Sequence, residues 1–215
     1  LPLASEACLS GADVVAQSEA RVARLKQAAE GNGALAAFLD GAFAETYRRL
    51  TQAALEGCRA AGTAFTRQIS SNLMTLSPSD FGFHNALRRA DGSLVFLDFE
   101  YFGWDDPVKL ISDLLLHPGT HLTAAVRARL TTSCERLYGA TDDDFAARLA
   151  ALHPLFGLRW ALILLNEFLP ERWQARLAAG GRDSWPEAKA RQLAKGRAML
   201  AHVAAEDIRG AAHAG

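Results

Sequence analysis

The chain has 215 residues, 50% hydrophobic and 22% charged, a composition that fits a folded globular protein and excludes a disordered one. Its formal net charge of −1, with acids and bases mixed along the chain, leaves no electrostatic footprint for nucleic acid. The three cysteines, Cys8, Cys58 and Cys134, are scattered and form no CxxC pair, which fits a reducing, cytoplasmic setting better than a disulfide framework or a structural zinc site.

Residues 12–60 read as two helices. Val15, Val22, Leu25 and Ala29 keep helical spacing until Gly31-Asn32-Gly33 breaks it. Leu35, Phe38, Leu39, Phe43, Tyr47 and Leu50 then share one face of a segment running from Ala34 to Ala60. A short strand is expected over Leu73–Leu76. "NALRR" and "LVFLDF" flank Ala90-Asp91-Gly92-Ser93, and Asp-Gly between apolar runs is a strong hairpin signal.

Beyond Pro107 the pattern predicts helices over about 109–116, 121–138, 142–152, 155–169 and 185–206, with Pro118, Pro154, Pro170 and Pro186 marking boundaries. Asp106 before Pro107 is a good N-cap, and Thr141-Asp142-Asp143-Asp144 suits a helix start. The 155–169 helix is apolar nearly all round, so it belongs in a core, and Trp160, Trp173 and Trp185 are read as core as well. No apolar run approaches the ~20 residues needed to span a bilayer, so no membrane partner is expected. The fold class is α+β, mostly α: a helical domain carrying one small β-hairpin.

The chemistry concentrates at 77–107. Asp80 and Asn85 are spaced D-x-x-x-x-N, and Asp98 ends the second hairpin strand. Hairpin pairing returns the chain to where it left, so Asn85 and Asp98 are expected to be close. An amide oxygen and a carboxylate are hard ligands suited to Mg²⁺, which completes its shell with phosphate and water. Asp80, unpaired in that arrangement, is left to accept or orient a hydroxyl proton. Phosphoryl transfer needs this division of labour.

"SDFGFHNAL" and "LDFEYFGWDDP" resemble the catalytic loop and metal segment of the aminoglycoside phosphotransferase and choline kinase-like family, the small-molecule branch of the protein-kinase-like fold. The resemblance implies that 1–215 is the helical C-terminal lobe, with the catalytic loop and metal segment at 77–107 and an acceptor-binding helical region at 108–210. It implies transfer of the γ-phosphoryl group of ATP to a hydroxyl of a small molecule, with Asp80 as catalytic carboxylate and Asn85 and Asp98 holding Mg²⁺ against the nucleotide. Two positions depart from the family pattern. Pro78 stands where His is common, and Leu110 stands where an acid is common, with Asp113 one turn later.

The family's nucleotide-clamping β lobe, with its glycine-rich loop and lysine, has no counterpart before Asp80. Lys26 is the only lysine there, on a predicted helix. The expectation is that this lobe belongs to a longer protein and is this chain's partner in activity. The alternative is a kinase-like binding or regulatory module without catalysis. A metal-dependent hydrolase using Asp98, Glu100 and Asp105 is weaker, because His84 alone does not complete a ligand set.

Glu100 and Asp105 are read evenly as lining for a cationic acceptor or as a solvated turn. Glu167, with Glu171, is a candidate acceptor contact implied by the family's use of C-lobe helices, against a plain helix end. His84 is read first as a packing or hydrogen-bonding residue.

Overall fold

The computed structural model describes residues 1–120, 122–180 and 182–213. The described chain is mostly helical with two small antiparallel sheets, as expected for an α+β, mostly α protein. Its elements are α1 (Gly11–Ala28), α2 (Gly33–Phe38), α3 (Ala44–Ala60), β1 (Thr75–Ser77), β2 (Ala86–Arg88), β3 (Leu94–Phe96), β4 (Gly103–Asp105), α4 (Pro107–Leu116), α5 (Ala124–Tyr138), α6 (Phe145–Ile163), α7 (Pro170–Ala178) and α8 (Trp185–His213). Two compact units divide the chain: Leu1–Asp13 with Ala54–Phe156, and Val14–Ala53 with the segment from Gly157 onward.

In the first unit β1 pairs with β4 and β2 with β3. The N-terminal segment runs beside β4. Ala4 N–H donates to the Trp104 carbonyl at 2.9 Å, and Trp104 N–H donates to that of Pro2 at 3.0 Å. Gly103 permits this approach, because a Cβ there would stand 2.5 Å from the Ala4 nitrogen. The helix α4 starts as its sequence requires. Asp106 accepts from Val108 N–H at 2.8 Å, with Pro107 at the first helical position, where its missing N–H costs nothing. Cys8, Cys58, Val108, Ile111, Leu115, Phe145, Leu152 and Phe156 are among the buried apolar residues of this unit.

Charge is buried here too, with each of two cations set between two acids. Lys109 is 1% exposed and lies 3.0 Å from Asp105 and 3.2 Å from Asp113. Arg148 joins Asp106 to Asp142, the latter at 2.6 Å. Burial pushes the Asp105 carboxyl up despite Lys109, and pushes Asp106 to about 6 against the pull of Arg148.

In the second unit Leu35, Phe38, Leu39, Phe43 and Leu50 are buried on the predicted face. The segment expected as one helix from Ala34 to Ala60 is kinked: Gly41 takes φ −97°, ψ −107° within the wide turn Leu39–Phe43, a geometry that a residue without Cβ reaches easily. Gly157 of α6 faces Val203 of α8, where an added Cβ would collide with Cγ2. Ser184 and Glu187 cap α8 reciprocally: Ser184 N–H donates to Oε2 at 3.2 Å, and Glu187 N–H donates to Ser184 Oγ at 3.5 Å.

Three expectations need correction. Pro154 is no boundary, because it sits inside the continuous helix α6, which replaces the two helices expected over 142–152 and 155–169. The apolar helix surface around it outweighs the single backbone bond that proline forgoes. The helix α7 is an addition to the expected elements, although Pro170 at its first turn signals it. β4 is a strand where the sequence suggests only a turn. The expected start of the α5 helix at His121 lies outside the described residues.

By length and composition the stretch Phe145–Phe168 is apolar enough to cross a membrane, contrary to the expectation that no run is. Its most apolar window is 56% buried within the protein, and it contains Arg148 and Arg159, both engaged by polar partners. Those properties are those of a core helix.

Candidate functional site

The candidate site lies in the first unit, on the segment between β1 and β4. Ser77 pairs with Gly103, so the chain from Pro78 to Phe102 leaves and returns at one point. The hairpin β2–β3 is set inside that loop, with Ala86 opposite Phe96 and Gly92 at φ 86° in its turn. Phe81 and Phe96 pack ring to ring with centroids 4.8 Å apart, fastening the start of the loop to the hairpin.

Two residues of the loop take left-handed backbone conformations that side chains rarely adopt: Ser79 at φ 64° and Asp98 at φ 62°. Such strain is held only where neighbours over-determine it. For Ser79 they do. Its N–H donates to Ser77 Oγ at 3.1 Å, and its hydroxyl reaches the carbonyls of Ser5 at 3.0 Å and Tyr101 at 3.4 Å.

Asp80 follows. Asn85 Nδ2 donates to its carbonyl oxygen at 3.0 Å and to Oδ2 at 3.4 Å. His84 Nε2 stands 3.2 Å from Oδ1, and His117 Nε2 stands 3.6 Å from the same oxygen. The two imidazoles stack nearly parallel, 4.0 Å apart with 4° between planes. Gly119 N–H donates to His117 Nδ1 at 3.0 Å. Burial, and then His84 beside it, lower the pKa of His117, which favours the neutral ring. Asp80 is therefore not the unaccompanied carboxylate that the spacing suggested. It keeps 43% of its side chain exposed, so a solvent-side molecule can reach it.

Leu97 N–H donates to the Asn85 carbonyl at 2.8 Å, which extends the hairpin register by one pair and brings Asn85 beside the residue preceding Asp98. With Nδ2 committed to Asp80, Oδ1 is the atom of Asn85 left to accept, and Asp98 is exposed. An amide oxygen and a free carboxylate are a donor set that fits Mg²⁺.

The remaining candidates separate. Glu100 is exposed on the same loop. Asp105 does not face any acceptor, because its side chain is 0% exposed and engaged by Cys8 N–H, Asp106 N–H and Lys109. Glu167, in the second unit, is bound to Arg176 and accepts from Gln192 at 3.0 Å, a structural tie rather than an open contact. In the same unit Phe168, Trp185, Lys189 and Arg197 line a cavity of about 470 Å³. Its two cations suit an anionic molecule better than a cationic one.

Comparison with known proteins gives no match, either to a protein-family model or to a curated protein.

His117 is the residue that sequence reasoning missed. It caps the end of α4 before Pro118, far along the chain from Asp80, and no local spacing signals their meeting.

Proposed function

We propose that the chain is the helical lobe of an ATP- and Mg²⁺-dependent phosphotransferase acting on a hydroxyl of a small molecule. The observation that carries this reading is the binding of Asn85 Nδ2 to Asp80 inside a loop closed by Ser77 and Gly103, with Asp98 held in a strained backbone one residue beyond Leu97. The D-x-x-x-x-N spacing thus corresponds to a physical unit.

In this reading Asp80 orients the acceptor hydroxyl and takes its proton. Its Oδ2 faces Asn85 while Oδ1 faces the two histidines, so the carboxylate cannot rotate freely. Oδ1 of Asn85 and the Asp98 carboxylate would hold Mg²⁺, which supplies neutralisation of phosphate charge. Positioning and charge neutralisation account for most of the rate in such transfers.

The nucleotide clamp belongs, in this reading, to a separate β lobe of the same protein. Phe83, Leu87, Leu94, Leu97, Phe99 and Tyr101 all expose large apolar side chains around the loop, a surface suited to a docked lobe. This chain alone is expected to be nearly inactive.

The test is acceptor-dependent ADP release by the protein that includes the clamp. Asp80→Ala should abolish turnover and leave nucleotide binding largely intact. Near-full turnover in that variant would remove Asp80 from the chemistry and the reading with it.

A further inference from the structure

We infer that Asp80, His84 and His117 form a three-ligand site for a borderline divalent cation of the Zn²⁺ class, separate from the Mg²⁺ pair. One ligand atom from each residue lies within 4.8 Å of the other two. A tetrahedral ion with bonds of 2.0–2.1 Å holds its ligands about 3.4 Å apart. The two separations from Asp80 Oδ1, 3.2 Å to His84 and 3.6 Å to His117, bracket that edge. Imidazole nitrogen selects Zn²⁺, Co²⁺ or Ni²⁺ over Mg²⁺, which prefers oxygen throughout. Three protein ligands leave a fourth position open, and the half-exposed Asp80 turns it toward solvent.

The surroundings are shaped for the two rings. A Cβ on Gly82 would stand 2.6 Å from His84 Nδ1, and one on Gly119 would stand 3.0 Å from His117 Cε1. The same point above Gly82 is 3.2 Å from Thr120 Oγ1. Thr120 is 5% exposed, and its hydroxyl has no hydrogen-bond partner among the described residues. A metal on His84 Nε2 requires the proton on Nδ1, and the unpartnered Thr120 hydroxyl near Gly82 is a buried acceptor that this N–H would reach once the ring turns.

Binding exacts two adjustments. The stacked rings must splay so that their lone pairs converge, and the proton of each histidine that faces Asp80 must move from Nε2 to Nδ1, which at His117 releases the Gly119 N–H. Both lower the affinity below that of a closed cysteine–histidine site. The second provides a signature, since the Gly119 amide resonance shifts when metal binds. If the proposed function holds, an ion here occupies the carboxylate that the acceptor needs, so the site is inhibitory.

The experiment titrates the chain with Zn²⁺ by calorimetry and with Co²⁺ by visible absorption. A Cys134→Ser background removes the half-buried thiol that would compete. The expected result is one equivalent bound, high-intensity Co²⁺ bands of low coordination number, a shifted Gly119 amide, and no competition from Mg²⁺. His84→Asn and His117→Asn should each weaken binding at least 100-fold with circular dichroism unchanged. Absence of binding in the Cys134→Ser background, or full affinity in both histidine variants, overturns the site. Metal bound by the chain while the complete protein transfers no phosphoryl group would remove the proposed function and leave the site standing.

Discussion

Ser77 and Gly103 face each other across β1 and β4, and this pairing closes the loop that carries Asp80, Asn85 and Asp98. The closure depends on a missing side chain. A Cβ on Gly103 would lie 2.5 Å from the Ala4 nitrogen and 2.6 Å from the Pro2 carbonyl oxygen, both backbone atoms that cannot swing aside. Gly103→Ala should therefore cost about 2–4 kcal/mol, at or above the usual range for overpacking. Urea denaturation reads the loss. A midpoint equal to wild type would mean that the N-terminal segment does not hold β4.

Asp98 sets function against stability. Its φ of 62° is adopted by glycine at little cost, and its side chain makes no hydrogen bond or ion pair among the described residues. Asp98→Gly should leave the fold as stable as wild type or stabilise it by up to about 1 kcal/mol, while weakening Mg²⁺-nucleotide binding in the complete protein. Asp98→Ala removes the same carboxylate but keeps the strain, so it should be the less stable of the two. Equal nucleotide affinity in all three proteins would exclude Asp98 as a ligand.

Lys109 is enclosed with two carboxylates, Asp105 and Asp113. Lys109→Met keeps the side-chain volume and removes the cation that both buried acids face, which costs about 3–5 kcal/mol when one partner of a buried pair is removed. The deficit should shrink as pH falls and the acids take up protons. Adding Asp105→Asn and Asp113→Asn to Lys109→Met should recover much of the loss. A Lys109→Met protein as stable as wild type at neutral pH would show that the triad contributes nothing.

The hairpin was legible because Asp91-Gly92 between apolar runs has one good turn solution, and the Asp106-Pro107 start of α4 because its cap is local chemistry. Other features depend on meetings that no spacing encodes. β4 is three residues whose partner β1 is far away in sequence, and nothing beside Gly103 in the chain signals that Ala4 lies against it. Asp105 looks like a surface acid because Cys8, whose N–H it accepts from, is far away in sequence, although Lys109 at i+4 was in view. Pro154 reads as a stop because local propensity is weighed without the packing that overrides it. The same limit hid His117, while His84, four residues from Asp80, was in view.

Asp106 gives a pH dependence whose sign follows from burial. Its carboxyl titrates at about 6 in the folded protein against an ordinary value of 3.8, chiefly because a 2% exposed charge is poorly solvated. Between those values the folded state holds more protons than the unfolded state. The contribution of Asp106 to stability is therefore largest at low pH, falls as pH rises from about 4 to about 6, and is flat above. Asp106→Asn keeps an N-cap acceptor for Val108 N–H and removes the titration. The stability difference, wild type minus Asp106→Asn, should fall by roughly 2–3 kcal/mol between pH 4 and pH 7, the equivalent of that displacement at about 1.36 kcal/mol per pH unit. Urea unfolding of both proteins at about pH 4.5, 5.5 and 7 measures it. Parallel profiles, or a difference that grows with pH, would mean that the Arg148 ion pair governs Asp106 and that its carboxylate is charged throughout.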